Sequence, residues 1–592
     1  MYNNIPTTAS DKLSEVNSMD CSLSHHLRGI RTKKSVSYGK KPHLWIVVLV
    51  AWISSIVVIQ RPIIEVFLRP LSLWQYWSLA WFLAWIDFAW LYGIYQLCLV
   101  LFARRACKNR LSRPRLIPDK LPSVAILYTT MNDFSEAAAL SCVRQEYPRF
   151  HVFLLDDSTE ERYKRQIDAC HDIYPDKTTV IRRESREGFK AGNLNHALEL
   201  IASRYEFFAV CDADGILPPE FVMKTLPHFS DNDRIAFVQS IQSTVMTRPE
   251  SSFASVMGVS VDTYWRWIAS TCDDFGFVMF HGHGGIIRTR VWSQVGGFPP
   301  VVAEDLAFST RVRERGYVGI IADDVICGEE FPSTYSAFVK RELKYTRATC
   351  EHMLKYMWSF LCSKQITWFE KIDRLLNTMA MTSTVSFLLF LLVFTLVLPS
   401  IFNIGTVHNS FTNGLAITGN SCLPLPRLFL LMTTITLMAP LMSTICNLWR
   451  HPSKLLRHIV ISTSTHLSLV LPKARNLLQM LISGRNYFPV TGAQGLEERD
   501  GSWLNRRKII GIPELFFTIL FTGVAIVGGN LAVLVIPLSA CAGLAALKWP
   551  WEHRFVRKLF LLPFIAVIIL ILLNMISAVG LGGVLTAAVA GY

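Results

Sequence analysis

Long apolar runs near both ends of the chain constrain its fold more than any other feature, because each approaches the roughly 20 residues that cross a hydrocarbon core. The 592-residue chain is 51% hydrophobic, and its mean hydropathy is +0.32. The runs are Leu44 to Ile59, Leu73 to Phe102, Met379 to Phe402, Leu428 to Leu448, Ile509 to Gly528, Leu531 to Leu547 and Leu559 to Val579. This pattern predicts an integral membrane protein with about seven transmembrane helices.

Charge predicts how these helices are oriented. Lys and Arg cluster before the first run and after the second, so we expect the amino-terminal tail and the polar middle of the chain in the cytoplasm. The stretch from 455 to 482 is apolar but interrupted by charges, which favours an interfacial or re-entrant helix pair. The net charge of +14 is mostly juxtamembrane, which indicates anionic lipid headgroups as partners and not nucleic acid.

These features divide the chain into five predicted segments. We expect a disordered cytoplasmic tail (1–41), two transmembrane helices (42–103), a cytoplasmic domain (104–332), amphipathic interface helices (333–374) and a transmembrane region (375–592).

The polar middle of the chain alternates short apolar segments with helix-like stretches, which predicts an α/β domain. The predicted strands are Val124 to Tyr128, Val152 to Leu155, Thr179 to Arg182, Phe207 to Cys211 and Ile235 to Gln239. Ligands of such sheets bind beyond the carboxyl ends of the strands. The polar motifs of this chain begin at those ends.

Polar residues follow the first two predicted strands. Thr130 comes after the first, and Asp156 and Asp157 come after the second. Carboxylates there can accept hydrogen bonds from a uracil imide or a ribose hydroxyl. The alternative is that these residues only cap the following helices.

The fourth predicted strand ends in Asp212-Ala213-Asp214-Gly215. Alternate residues of an extended chain point the same way, so Asp212 and Asp214 are candidate ligands for one hard cation, Mg²⁺ or Mn²⁺. Diphosphate oxygens would complete the shell of such a cation. The alternative is a solvated turn.

Two further motifs carry charges suited to a nucleotide site or to proton transfer. Lys190 lies between two glycines near a helix start and suits a phosphate or a carboxylate of a nucleotide site, although it also fits an ordinary surface loop. Glu304 and Asp305 open a helical stretch. Such a carboxylate can take a proton from an acceptor hydroxyl, or it can simply cap the helix.

Taken in order, these motifs resemble glycosyltransferase family 2, in particular its membrane-embedded polysaccharide synthases related to cellulose, hyaluronan and chitin synthases. The resemblance spans roughly Pro122 to Gly495 and implies a GT-A-type α/β domain. It implies nucleotide contacts at Asp156 and Asp157, metal ligands at Asp212 and Asp214, and a general base at Asp305 beside Glu304. His283 lies where the family has a Gly-Thr-Asn turn near the acceptor sugar.

Two later motifs are altered or partial matches to the family. Arg341, Lys344 and Tyr345 stand where the family has Gln-x-x-Arg-Trp, so Lys344 is the expected cation for the leaving diphosphate and Tyr345 an aromatic face for the acceptor. The alternative is a plain amphipathic interface helix. The second motif resembles the family's gating loop, with Phe488, Val490 and Thr491 inside a loop at 484–508, where a simple turn is the alternative.

The resemblance implies an inverting, processive UDP-sugar hexosyltransferase that extends a β-linked polysaccharide and passes it across the membrane, with a glucan favoured. We expect a multi-pass protein of a bacterial inner membrane or plasma membrane, with accessory export proteins among its candidate partners. Two alternatives stay open. One is a non-processive transferase that adds one sugar to a lipid carrier, and the other is an inactive transporter or scaffold.

Overall fold

The structure is a computed structural model that describes residues 40–111, 121–229, 232–245, 252–401, 427–483, 514–526 and 531–579. The predicted gating-loop residues Phe488, Val490 and Thr491 lie outside this described part, as does almost all of the predicted tail.

An eight-stranded mixed sheet forms the centre of the α/β domain. Its strands, in the order β3-β2-β1-β4-β7-β6-β8-β5, are β1 (Val124–Thr130), β2 (Phe150–Asp156), β3 (Thr178–Arg182), β4 (Phe207–Asp212), β5 (Gly215–Ile216), β6 (Ile235–Val245), β7 (Gly285–Arg288) and β8 (Val318–Glu330). Strands β3, β2, β1 and β4 are mutually parallel, whereas β7 is antiparallel to both of its neighbours.

Burial explains why the central strands are continuous apolar runs. Every residue of β1 is buried, because packed side chains cover both faces of the sheet. One core contains Ile126 and Tyr128 of β1, and the other contains Ala125 and Leu127 from the opposite face. A parallel sheet covered on both faces has this pattern, so the α/β prediction is confirmed.

The helices fall into three groups along the chain. Before the sheet lie α1 (His43–Ile59), α2 (Arg61–Ile64) and α3 (Leu73–Leu111). Within the α/β domain lie α4 (Glu136–Val143), α5 (Glu161–Ile173), α6 (Phe189–Ile201), α7 (Phe221–Thr225), α8 (Ser252–Met257), α9 (Val259–Thr263), α10 (Ser270–Phe275), α11 (Thr289–Val295) and α12 (Glu304–Glu314). A π-helical turn, Tyr264–Ala269, joins α9 to α10.

The third group follows the sheet. It comprises α13 (Tyr335–Cys362), α14 (Trp368–Thr382), α15 (Thr384–Leu392), α16 (Leu398–Ile401), α17 (Arg427–Met438), α18 (Leu441–Leu448), α19 (Pro452–Ser468), α20 (Val470–Ser483), α21 (Glu514–Ile526), α22 (Val535–Lys548), α23 (Arg554–Leu559) and α24 (Leu561–Val579). Short 3₁₀ or π turns lie at Glu65–Leu68, Leu226–Phe229, Val393–Val397 and Leu531–Leu534.

The described residues do not confirm the count of seven spans. One helix, Leu73–Ala103 within α3, is long and apolar enough to cross a membrane. Two further helix pairs pass the same test only when taken together, with bends of 64° at the α14–α15 break and 57° at the α17–α18 break. The structure therefore offers one span, or three if each bent pair counts as one.

Buried polar contacts join the helical region to the α/β domain. Asp373 of α14 accepts hydrogen bonds from the Phe277 amide at 2.9 Å and from the Tyr95 hydroxyl of α3 at 2.7 Å. Glu342 of α13 pairs with Lys473 of α20 at 2.8 Å. The Asp373 contacts hold α14 against the α/β domain, and the second pair joins α20 to α13, which carries three of the predicted site residues.

The five predicted strands are all present: four have slightly wider bounds, and β6 continues past its predicted end at Gln239 to Val245. The sequence did not predict β7, which lies between β4 and β6, or β8 and β5, which extend the sheet beyond β6. The predicted interface helices correspond to α13 and the first part of α14. The predicted helix pair at 455–482 corresponds to α19 and α20, and its position relative to a membrane stays a prediction, as do the segment boundaries.

Candidate active site

Strand register brings the first polar motifs together at one edge of the sheet. Thr130 of β1 lies opposite Asp156 of β2, and Thr129 lies opposite Asp212 of β4. The Thr129 hydroxyl donates a hydrogen bond to Asp212 Oδ1 at 2.6 Å. Residues that are far apart in the sequence thus share the carboxyl edge, as the parallel sheet predicts.

Two arginines bind the acidic pair after β2. Arg182 Nε lies 2.7 Å from Asp156 Oδ2, and Arg183 donates from Nε and Nη2 to the two carboxylate oxygens of Asp157 at 2.8 and 2.7 Å. Both carboxylates are buried. The sequence analysis missed both arginines, although pairing β2 with β3 places Arg182 directly opposite Asp156 and would have identified the first.

The second arginine also shapes the turn that presents Lys190. Arg183 donates to the carbonyl oxygens of Glu187 at 2.6 Å and Phe189 at 2.7 Å. Gly188 has φ +70°, which a side chain would oppose, and Phe189 follows with φ +50°. This strained turn begins α6 and directs Lys190 into the site.

Lys190 is the cation that joins the acidic motifs. Its Nζ lies 2.6 Å from Asp212 Oδ2, 3.7 Å from Glu304 Oε1 and 3.0 Å from the carbonyl oxygen of Gly282. Its side chain is only 18% exposed. The surface-loop alternative for Lys190 is therefore wrong, and the lysine binds site carboxylates in this structure.

The two carboxylates after β4 have opposite electrostatic environments. Burial alone would raise the pKa of Asp212, but Lys190 and His283 hold it below its usual value. Burial and the adjacent charge of Asp212 raise the pKa of Asp214. Pairs of acids whose environments separate their pKa values are characteristic of functional sites.

Glu304 and Asp305 occupy the first turn of α12. Burial raises the pKa of Glu304 to about 7, with Lys190 opposing the shift and Asp305 adding to it. Burial also raises the pKa of Asp305. Glu304 is buried, whereas Asp305 is only partly buried, and a Cβ on Gly282 would lie 3.5 Å from Asp305 Oδ2. Asp305 is therefore the more accessible of the two carboxylates.

The residues on α13 face two different environments. Burial lowers the pKa of Lys344, and the charges of Glu304, Asp212 and Asp214 oppose this shift, so Lys344 belongs to the acidic cluster. Tyr345 keeps 41% of its surface exposed. Arg341 instead packs among aromatic rings, with its guanidinium carbon 4.3 Å from the ring centre of Phe331.

His283 lies in the segment just before β7. The ring is 5% exposed, and neither ring nitrogen has a hydrogen-bond partner among the described residues. Its charge influences Asp212, Asp214 and Glu329. Glu329, near the end of β8, is an additional site acid that the sequence analysis missed, because β8 itself was not predicted.

Two tryptophans of the α/β domain are buried. Trp265 is 2% exposed and packs against His281 with ring centres 4.5 Å apart, and Trp267 is 7% exposed. Both lie in the π-helical turn before α10, where they pack as core residues.

The carboxylates after β4 suit a divalent cation chemically, because hard cations bind oxygen ligands. Within the described ranges, no group of three His, Cys, Asp or Glu side chains is already arranged to hold a metal. In this structure Asp212 is engaged by Lys190 and Thr129 instead. A Cβ added to Gly215, the residue after Asp214, would lie 2.9 Å from His283 Nδ1.

Comparison with known proteins identifies the domain. Residues 207–443, which begin at β4 and include the acidic cluster and α13, match the model of glycosyl transferase family group 2. These residues are therefore similar to a family 2 glycosyltransferase domain. The resemblance inferred from the sequence is confirmed, although Asp156, Asp157 and Lys190 precede the matched region.

Curated relatives of this domain occur in rice, Oryza sativa subsp. japonica. A probable glucomannan 4-β-mannosyltransferase is 26% identical over 254 residues, which is 42% of this chain and 43% of that protein. A glucomannan 4-β-mannosyltransferase is 25% identical over 261 residues, 43% of this chain and 49% of that protein. The matches thus span less than half of the length of these relatives.

Solved structures with detectable similarity are more distant. The mannosyltransferase of Pyrobaculum calidifontis in complex with GDP-Man and Mn²⁺ is 18% identical with a TM-score of 0.39, over 61% of this chain and 99% of that one. S. aureus TarS, residues 1–349, is 15% identical with a TM-score of 0.28, over 62% of this chain and 93% of that one.

Proposed function

We propose that this protein is an inverting, metal-dependent glycosyltransferase of the GT-A type that extends a β-linked polysaccharide at a membrane from a nucleotide-diphosphate sugar. One observation carries the proposal. Lys190 contacts Asp212 and lies 3.7 Å from Glu304, so the acids expected at the diphosphate and the acids expected at the acceptor share one buried pocket. Sugar transfer requires both groups around one anomeric carbon.

The nucleotide would bind at the carboxyl edge of β1 and β2. Thr130, Asp156 and Asp157 are the proposed contacts, and ion pairs with Arg182 and Arg183 hold the two carboxylates in place. Because bidentate pairing fixes Asp157 rigidly, we expect it to position the turn before Lys190 as well as the nucleotide.

The diphosphate would lie over the ends of β4 and α6. Asp212 and Asp214 are the proposed ligands of a divalent cation, which would neutralise the charge of the diphosphate when bound. Lys190 is poised to exchange its contact with Asp212 for a phosphate oxygen. Lys344 is the proposed second cation, and it stabilises the departing nucleoside diphosphate.

The acceptor hydroxyl would meet Asp305. A base with a raised pKa near an attacking hydroxyl accepts its proton more effectively at neutral pH. The raised pKa and partial exposure of Asp305 support this role. Buried Glu304 would act on Asp305 through its charge, while the exposed ring of Tyr345 would support the acceptor sugar.

We propose membrane association from the apolar helices. We also propose that the protein passes its product across the membrane. The predicted spans and the α13 helix beside the pocket favour a product that leaves along the helical region. We propose in addition that synthesis is processive and that the product passes through the protein. Phe488, Val490 and Thr491 would cover the site. The aromatic cluster around Arg341 would anchor α13 beside that path.

Two lines of reasoning favour different donor sugars. The family resemblance favours UDP-glucose and a glucan product. The similarity to rice glucomannan 4-β-mannosyltransferases favours a β-mannosyl product and therefore a mannose nucleotide. Both donors are consistent with the same inverting chemistry.

The proposal is tested with protein purified in detergent and incubated with labelled UDP-glucose, UDP-N-acetylglucosamine, GDP-glucose and GDP-mannose, each with Mg²⁺ or Mn²⁺. We expect one donor to give a polymer that a β-glycanase digests. A single sugar on a lipid would instead support the non-processive alternative. Absence of transfer and hydrolysis with every donor would contradict the proposed function and favour a scaffold.

A further inference from the structure

The start of α12 lacks the side-chain cap that many helices supply for themselves. Ala303 stands directly before Glu304, and its side chain accepts no hydrogen bond from the first turn. Alanine is a poor residue at this position, because it has no oxygen to offer to the free amides of the turn. Other elements therefore have to hold the turn that carries Glu304 and Asp305.

Glu351 of α13 contacts the backbone just before this turn. Its Oε2 accepts a hydrogen bond from the Val302 amide at 3.0 Å. Glu351 and Val302 are both buried, so water does not compete for the amide. A buried amide that loses its acceptor costs free energy, so this bond fixes the backbone at the entry to α12.

The next residue, His352, holds α12 at a second point. Burial lowers the pKa of its imidazole to about 3, so the neutral ring has one N–H to donate. The Thr310 hydroxyl donates to the Leu306 carbonyl oxygen at 3.0 Å, and Thr310 Oγ1 lies 2.9 Å from His352 Nε2. The ring therefore donates from Nε2 to the Thr310 oxygen. Two adjacent residues of α13 thus bind the chain before and after Asp305.

Spacing along α13 places Glu351 on the same face as a proposed site cation. Glu351 follows Lys344 by about two turns of α-helix, so the two side chains lie on one face. Ala348 lies between them and packs with Val302 and Leu306 in one buried cluster. One face of α13 therefore contacts the start of α12 and also carries Lys344.

We propose that Glu351 is a positioning residue that holds Asp305 at a fixed distance from Lys344, so that the acceptor hydroxyl and the leaving diphosphate meet at one anomeric carbon. This role rests on the proposed function for the tasks of Asp305 and Lys344. Catalytic groups lose much of their effect when they move by about 1 Å. A single helix that carries one group and binds the turn of the other keeps both in place.

Substitutions of Glu351 separate its geometry from its charge. Glu351→Gln loses the charge but keeps an oxygen that can accept from the Val302 amide. Glu351→Asp keeps the charge but withdraws the carboxylate by about 1.5 Å, the length of one carbon–carbon bond. Glu351→Ala removes both. Lys355→Gln is the matched control, because it removes only the ion pair that the exposed Lys355 makes with Glu351 at 2.7 Å.

Steady-state transfer is measured for each variant with the donor that the unaltered protein uses. We expect kcat to fall about 10²-fold in Glu351→Asp and Glu351→Ala, with donor KM nearly unchanged because the nucleotide contacts stay in place. Glu351→Gln and Lys355→Gln should keep most of kcat. The opposite order, with Glu351→Asp active and Glu351→Gln inactive, would show that charge matters and would overturn the proposal.

Amide hydrogen exchange gives a second measurement that needs no sugar transfer. Mass spectrometry of the peptide that contains Val302 should show faster exchange in Glu351→Asp than in the unaltered protein, and unchanged exchange in Glu351→Gln. These two variants decide the question even if Glu351→Ala does not fold. Unchanged exchange in folded Glu351→Asp would overturn the proposal.

The exchange experiment and the transfer experiment fail independently. Faster exchange in Glu351→Asp, in a protein that transfers no sugar, would support the hold of Glu351 on the turn and contradict the proposed function. Transfer by the unaltered protein, together with full kcat in Glu351→Asp, would support the proposed function and contradict the role of Glu351.

Discussion

At the residue scale, the site depends on how a few cations distribute charge among closely spaced acids. Lys190 keeps Asp212 ionised, while burial keeps Glu304 and Asp305 easier to protonate than ordinary carboxyl groups. The site thus separates an acid with a lowered pKa from two acids with raised pKa values. This separation is what a transferase needs if one carboxylate holds a cation and another accepts a proton.

Replacing Asp305 with Asn tests the base directly. The amide cannot accept the hydroxyl proton, so we expect the transfer rate to fall by about 10²- to 10⁴-fold while nucleotide binding persists. Transfer and nucleotide binding would be measured on the same preparation. Asp172→Asn, at an exposed acid of α5, is the matched control and should transfer normally. Undiminished transfer by Asp305→Asn would rule out this base.

The raised pKa of Asp305 should be visible in the pH dependence of the reaction. A raised pKa keeps Asp305 protonated to higher pH, so activity should fall on acidification at a pH above the usual carboxyl range. The charge of Lys344 opposes this shift, so Lys344→Gln should raise the pKa of Asp305 further. The acidic limb of the kcat/KM profile should therefore move to higher pH. A limb that stays or moves to lower pH would contradict the coupling.

At the scale of elements, the position of α12 depends on a buried ion-pair network. Arg313 of α12 donates two hydrogen bonds to Glu370 of α14, each at 2.9 Å, and Lys40 lies 3.0 Å from the same carboxylate. The Glu370 side chain is fully buried. The network connects the helix that begins with Glu304 to the helical region.

Breaking this network should destabilise the protein. Glu370→Gln removes the charge and leaves Arg313 and Lys40 without their buried partner, which costs about 3–5 kcal/mol when one member of a buried pair is lost. Thermal unfolding in detergent should show a lower midpoint temperature for Glu370→Gln than for the unaltered protein. Sugar transfer should be lost at a correspondingly lower temperature. Glu161→Gln, at an exposed residue of α5, is the control. Equal midpoints for both variants would contradict the network's role.

The turn before α6 offers a test that leaves every charge unchanged. A Cβ on Gly192 would lie 1.9 Å from the Glu187 carbonyl oxygen, so Gly192→Ala should displace the turn that carries Lys190. A misplacement of about 1 Å can cost about 10²-fold in rate. Steady-state transfer would measure the loss. Gly523→Ala, where a Cβ meets nothing within 4 Å, should have no such effect.

At the scale of the whole molecule, the sequence predicted the five strands of the sheet that carry a recognisable apolar pattern. β1 and β4 are long apolar runs and were predicted from the sequence. β5 has two residues, and β7 begins at a glycine and has only four, so neither leaves a recognisable pattern. The sequence did not reveal the role of Arg183, because the pairing of strands and not nearby sequence brings Arg183 close to its partner Asp157.

The membrane region shows a second limit of local patterns. Hydropathy cannot distinguish a straight apolar helix from a bent pair of helices. The backbone bends between α17 and α18 near Pro440, because proline cannot continue the helical hydrogen bonds. Run length therefore predicted one continuous span at 428–448, where the described helices are bent. Each acidic motif lies where the sequence predicts it, at the end of a strand or the start of a helix, and its chemical role stays a prediction.

The stereochemistry of transfer tests the central claim most directly. Purified protein would be given a sugar nucleotide of α configuration, and nuclear magnetic resonance would assign the anomeric configuration of the new linkage. The account predicts a β linkage whose formation requires a divalent cation and is abolished in Asp305→Asn. An α linkage, or β-linked product formed equally well by Asp305→Asn, would contradict it.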